Sequence, residues 1–187
     1  MGMLVLIWLD KYIMRNKILC CLDYLYLSCI WISGLAILLM CIIIPIGVFA
    51  RYFLGFGAQW PEPIAIMLMV VFTFFGAAAS YRAGGHIAVA MLTDRLPKHI
   101  VQITSFLIDV FMFCICIFIV QYGLKLCQEM MGQTLAELPW LAVGYTYLPL
   151  PLGSFLTGLF VIEKMVFGSQ HARLVVRVDQ PDLQGGQ

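Results

Sequence analysis

From Tyr24 to Ala50 the chain carries no charged side chain, a run longer than the ~20 residues an α-helix needs to cross ~30 Å of hydrocarbon. Backbone in lipid must satisfy its own amide groups, and a helix does so within the segment. Composition agrees with that reading. Of 187 residues, 63% are hydrophobic and 11% charged, with a mean hydropathy of +0.97, whereas apolar residues make up about half of a soluble domain. The chain is an integral membrane protein, and its net charge of +1 implies no nucleic-acid partner.

Three further spans follow. Arg51 closes the first run, and Pro45 in its outer half is expected to kink it. The connector Arg51 to Glu62, RYFLGFGAQWPE, places Tyr52 and Trp60 as an aromatic belt and Pro61 as a helix start. The second span runs from Pro63 to about Tyr81, and Gly76 to Ser80 form a stretch almost free of side-chain bulk where another helix can approach closely. The third runs from about Ile100 to Leu124. Lys125 to Glu137 reads as a polar connector, and the fourth apolar run, Leu138 to Ile162, is divided by Pro149 and Pro151. A continuous helix is expected from Pro151 to Phe167, preceded by an irregular piece sheltered by protein, with Glu163 and Lys164 closing the span.

The polar stretch Tyr81 to Pro97 is the hinge between the two pairs of spans, and its Arg82, Arg95 and Lys98 orient the molecule. Nine of the eleven basic residues fall on the hinge side, against Arg51 and Lys125 on the other, which places the hinge and both termini in the cytoplasm. Gly84-Gly85 is expected to end the second span with a residue at positive φ, with Arg82 and His86 at headgroup level. At the N-terminus, Leu4, Ile7, Trp8 and Leu9 mix with Lys11, Arg15 and Lys17, as in a helix lying in the interface. The organisation is thus an interfacial segment over 1–23, a four-helix membrane domain over 24–167 and a disordered tail over 168–187.

Little here carries chemistry. No hydrolase elbow, phosphate loop or metal-ligand cluster is present, so neither a catalytic residue nor a metal site is assigned and no cofactor is expected. Seven cysteines lie largely in apolar runs without a Cys-x-x-Cys and read as small hydrophobes. Asp109 is the acidic residue deep in a span, without a basic partner in any span. It reads as a carboxyl hydrogen-bonded to a neighbouring helix or as a proton or ion site. Gln102, Ser105, Asp109 and Cys116 make a polar stripe that should face protein.

Several strings together resemble the small membrane subunit, or DctQ-like subunit, of tripartite ATP-independent periplasmic (TRAP) transporters. They are Arg51 closing the first span, Trp60-Pro61-Glu62 opening the second, Arg82-Ala83-Gly84-Gly85-His86-Ile87-Ala88-Val89 at the hinge, Leu96-Pro97, and Leu150-Pro151-Leu152-Gly153 in the last span. The chain departs from that family at Pro63, where members often carry a second acidic residue. The resemblance implies an all-α, four-span subunit of the bacterial inner membrane with no catalysis of its own. It implies partnership with a large membrane subunit, which moves a carboxylate-bearing solute with sodium, and with a periplasmic solute-binding protein that delivers it. Membrane lipids complete the surroundings. Partner contacts are then expected at Arg51, Trp60, Glu62, Arg82, Gly84, Gly85, His86 and Asp109, with the chain acting as a scaffold. The alternative is an autonomous four-helix carrier working through Asp109.

Overall fold

The computed structural model describes residues 2–53, 55, 59–84 and 98–168, with side chains from residue 17 in the first segment and from 103 in the last. Among the described residues five helices follow in order: α1 (Gly2–Phe53), α2 (Pro61–Arg82), α3 (Lys98–Met130), the short α4 (Val143–Tyr147) and α5 (Pro149–Phe167). Four stretches are long and apolar enough to cross a membrane: Lys17–Phe53, Pro61–Arg82, Ile103–Met130 and Val143–Phe167. The fold is all-α with four membrane spans, as expected.

Three boundaries differ from the sequence reading. α1 is continuous from Gly2 through the first span and carries Pro45 in its interior. α3 runs to Met130, because Lys125, Gln128 and Glu129 are good helix formers and the first breaker is Gly132; the expected connector begins six residues early on paper. α5 begins at Pro149, where proline's missing donor belongs to the unsatisfied first turn. Ahead of it, residues 131–142 fold back through an isolated bridge between Thr134 and Ala142, with Val143 N–H donating to Gln133 O at 2.9 Å. α4 packs on α3 so closely that a Cβ at Gly144 would lie 2.6 Å from the Cys127 carbonyl oxygen. The irregular piece itself is not sheltered as expected: Leu138 is buried, but most of residues 131–140 are exposed.

The spans form an open row. α1 packs on α2, α2 on α5 and α5 on α3, so α2 and α5 are the inner helices and most of the remaining apolar surface faces outward. Trp31 is 77% exposed, and Phe106 and Phe111 are each 61% exposed. Small residues set the close approaches: Ala78 and Ala79 are buried, and Gly76 faces Ser33 of α1. The core of Tyr26, Cys29, Ala78, Ala79, Tyr81, Phe160 and Val161 lies towards one end of the row.

At that end α2 stops as expected. Ala83 N–H donates to Ala79 O at 3.0 Å and Gly84 N–H to Tyr81 O at 3.2 Å, with Gly84 at φ +75°. That left-handed conformation suits glycine because it has no Cβ to clash. The rest of the hinge, including Gly85 and His86, and the tail beyond Gly168 lie outside the described residues.

Candidate functional site

The polar residues of the four spans converge beside this core. Antiparallel alternation brings residues 23, 82 and 163 to one end of the row, and the last turns of α2 and α5 supply most of the cluster. Arg82 Nε donates to Glu163 Oε2 at 2.8 Å, and Arg82 Nη2 donates to Glu163 Oε1 at 2.7 Å and to Asp23 Oδ1 at 2.6 Å. The fork-to-fork pair with Glu163 is the strongest geometry open to a guanidinium. The Arg82 side chain is only 2% exposed and that of Glu163 1%. Its guanidinium also lies over the rings of Tyr26 and Phe160, at 5.3 and 5.4 Å. Nη1 is buried without a hydrogen-bond partner.

The cluster extends to α3. Lys164 follows Glu163, and a rotation of about 100° per residue turns it toward α3 while Glu163 faces α2. Lys164 Nζ donates to Asp109 Oδ1 at 2.7 Å, and the Tyr81 hydroxyl donates to the same oxygen at 2.8 Å. Asp23 on α1, Arg82 and Tyr81 on α2, Asp109 on α3 and Glu163 with Lys164 on α5 therefore tie all four spans together. Three carboxylates meet two cations, so the cluster holds nearly balanced charge.

Two sequence expectations are corrected here. Asp109 has a basic partner, Lys164, and sits level with the closing turns of α2 and α5 instead of deep in its span; the shift arises because α3 extends further at its other end. Arg82 does not face outward on the surface but is buried between Glu163 and Asp23. The described part of the polar stripe of α3 does face protein: Asp109 and Cys116 are buried and Ser105 is half-buried, while Phe106, Phe111 and Phe118 are exposed; the Gln102 side chain lies outside the described residues. The sequence reading missed Asp23, Glu163 and Lys164 as members of a site. The available signal was their position, each just outside or at the end of an apolar run on the Arg82 side.

Arg51, Trp60 and Glu62 lie at the opposite end, all exposed. Arg51 and Glu62 line one groove between α1 and α2, so the six expected contact residues that are described, Arg51, Trp60, Glu62, Arg82, Gly84 and Asp109, lie at two ends of the molecule and not at one site; Gly85 and His86 are outside the described residues. Among the described residues no group of three His, Cys, Asp or Glu side chains could hold a metal ion.

The family model for tripartite ATP-independent periplasmic transporters, DctQ component, matches residues 40–170. The chain belongs to the DctQ family. The match begins within α1, takes in both ends of the row and ends just past α5, so every span contributes to it. A protein of Haemophilus influenzae named TRAP transporter small permease protein is 26% identical over 128 residues, covering 68% of this chain and 79% of that protein. As a DctQ-family member the protein is a multi-pass membrane component of a TRAP-type transport system.

Proposed function

We propose that this DctQ-family subunit is a static brace for a larger transporting subunit of the same system. The observation that carries the reading is the open row: its four spans are held to one another by buried ion pairs, yet broad apolar faces bearing Trp31, Phe106 and Phe111 remain exposed. A row of this kind has area to offer a membrane partner and an internal clamp that keeps its shape when the partner moves. Exposed tryptophan and tyrosine at both ends resist sliding across the bilayer, because moving such residues out of the interfacial zone costs free energy.

In this reading the large subunit carries a carboxylate-bearing solute with sodium, and a periplasmic solute-binding protein delivers it. The hinge and both termini face the cytoplasm, the start of α1 continues the first span on that side, and Gly84, Gly85 and His86 lie beside the large subunit. Arg51, Trp60 and Glu62 face the periplasm. Arg82 and Asp109 act from within, fixing the shape of the surface that the partner meets. An autonomous carrier through Asp109 is disfavoured because one oxygen of that carboxylate already accepts from both Tyr81 and Lys164.

Co-expression with the large membrane subunit of a TRAP-type system tests the proposal. A stable complex in detergent, with uptake in liposomes only when both membrane proteins and the binding protein are present, is the expected result. Uptake by this chain alone would overturn it.

A further inference from the structure

We propose that the groove between α1 and α2 at the Arg51 end binds a zwitterionic glycerophospholipid whose headgroup carries a phosphate and a primary ammonium, that is, a phosphatidylethanolamine. The groove has a volume of about 450 Å³ and is lined by residues that include Met40, Ile44, Arg51, Glu62, Ile66 and Met69. Its mouth and its trough have different chemistry. At the mouth stand one cation and one anion, Arg51 in the last turn of α1 and Glu62 in the first turn of α2. Both are exposed, and the three ion pairs among the described residues all lie at the other end of the row. Below them the walls are apolar. From Arg51 down to Met40 the trough extends about 16 Å along α1 at 1.5 Å per residue, which is the depth of one leaflet of a ~30 Å hydrocarbon core.

The depth of the mouth follows from its neighbours. Tyr52 is 79% exposed and Trp60 42% exposed, and these amphipathic rings sit at headgroup level. The helices touch beside the mouth, where a Cβ on Gly47 would come within 2.7 Å of the Pro61 ring, so the groove has a solid floor and opens sideways to the bilayer. A headgroup phosphate suits the guanidinium of Arg51, which can grip it with two N–H donors. An ammonium two carbons away suits the carboxylate of Glu62, while an acyl chain fills the trough. An apolar helix from a partner would cover the trough but leave both charges at its rim unmatched. A zwitterionic lipid matches charge and oil together. The inference rests on the membrane reading of the chain and not on the bracing role, so either can fail alone.

The test uses the full-length chain, alone and in complex with its large subunit, reconstituted with equal amounts of phosphatidylethanolamine and phosphatidylglycerol of identical acyl chains. Native mass spectrometry then reads the lipid retained. The expected result is preferential retention of phosphatidylethanolamine. Arg51→Gln should lower retention of both lipids about tenfold, as loss of one charge-assisted contact implies. Glu62→Gln should lower phosphatidylethanolamine to the level of phosphatidylglycerol and leave the latter unchanged. Both side chains are exposed, so the variants keep the fold, which helix content by circular dichroism checks. Equal retention of the two lipids, or retention indifferent to both substitutions, overturns the proposal. So does retention by the isolated chain that vanishes in the complex, since the groove would then be covered by protein.

Discussion

Arg82 is the residue whose environment departs furthest from its composition-based expectation, and its energetics follow from what surrounds it. A buried ion pair contributes little net stability over an apolar pair of the same shape, but removal of one partner strands the others without water and costs about 3–5 kcal/mol. Arg82→Ala would leave Glu163 and Asp23 facing each other across a void. We therefore expect a loss of about 3–5 kcal/mol in unfolding experiments in detergent, and a smaller loss when Glu163→Gln accompanies it. An Arg82→Ala protein as stable as the parent would show that the cluster does not clamp the row. Asp109 is a gentler case. Asp109→Asn keeps a hydrogen-bond acceptor for Tyr81 and should leave transport near normal, whereas Asp109→Leu should weaken assembly by about 1 kcal/mol, since hydrogen bonds between membrane helices are individually modest. The Lys164 side chain, 32% exposed, can swing its ammonium toward the interface when its partner is lost. Abolished transport in an intact Asp109→Asn complex would instead mark an ion-coupling carboxylate.

Between elements, glycine decides how near α5 comes to α2. A Cβ on Gly153 would lie 2.6 Å from Phe74 Cβ and 3.0 Å from Phe74 O, and because backbone is involved the two helices must separate to accept it. Gly153→Ala should therefore destabilise by about 1–3 kcal/mol, the usual range for overpacking. Gly34 supplies the control on α1: it has nothing within 4 Å of its would-be Cβ, so Gly34→Ala should be neutral or stabilising by up to about 1 kcal/mol through helix propensity. Thermal unfolding of the two variants in one detergent gives the comparison. If they shift together in the same direction, close packing of α2 on α5 is not what the glycine serves. The inner position of α5 also explains why its polar face, with Ser154 and Thr157, is buried while the corresponding surfaces of α1 and α3 are greasy and open.

At the scale of the whole molecule, the excess of basic residues at the hinge end predicts that this end faces the cytoplasm. Trp140, 77% exposed in the loop before α4, should react with an impermeant thiol reagent from outside intact cells when changed to cysteine. Ala83→Cys, at the hinge end, should react only after the membrane is opened. The native cysteines are replaced first, since Cys20, Cys21, Cys41 and Cys114 are exposed in the fold. The opposite pattern would invert the assignment of every loop. An open row also makes a claim about assembly: the exposed faces of α1 and α3 should become protected from lipid-soluble carbene labelling when the large subunit is bound. Unchanged labelling of both faces would place the partner elsewhere.

Much was determined by the chain alone. Uninterrupted apolar runs, basic residues to one side and the glycine at position 84 dictate four spans, their alternation and the stop of α2, because each follows from transfer of backbone and charge between water and lipid over short distances along the sequence. The family strings at Trp60-Pro61-Glu62 and at the hinge were equally local. The tertiary structure decided what local rules cannot reach: that Asp23, Arg82 and Glu163, far apart in sequence, close into one buried cluster, that Lys164 answers Asp109, and that the spans line up as a row with α2 and α5 inside. Those outcomes depend on the relative height and rotation of whole helices. A shift of one residue turns a side chain by about 100°, and a helix extended by a turn or two, as α3 is past Lys125, moves a carboxylate from mid-membrane to the level of a lysine on its neighbour.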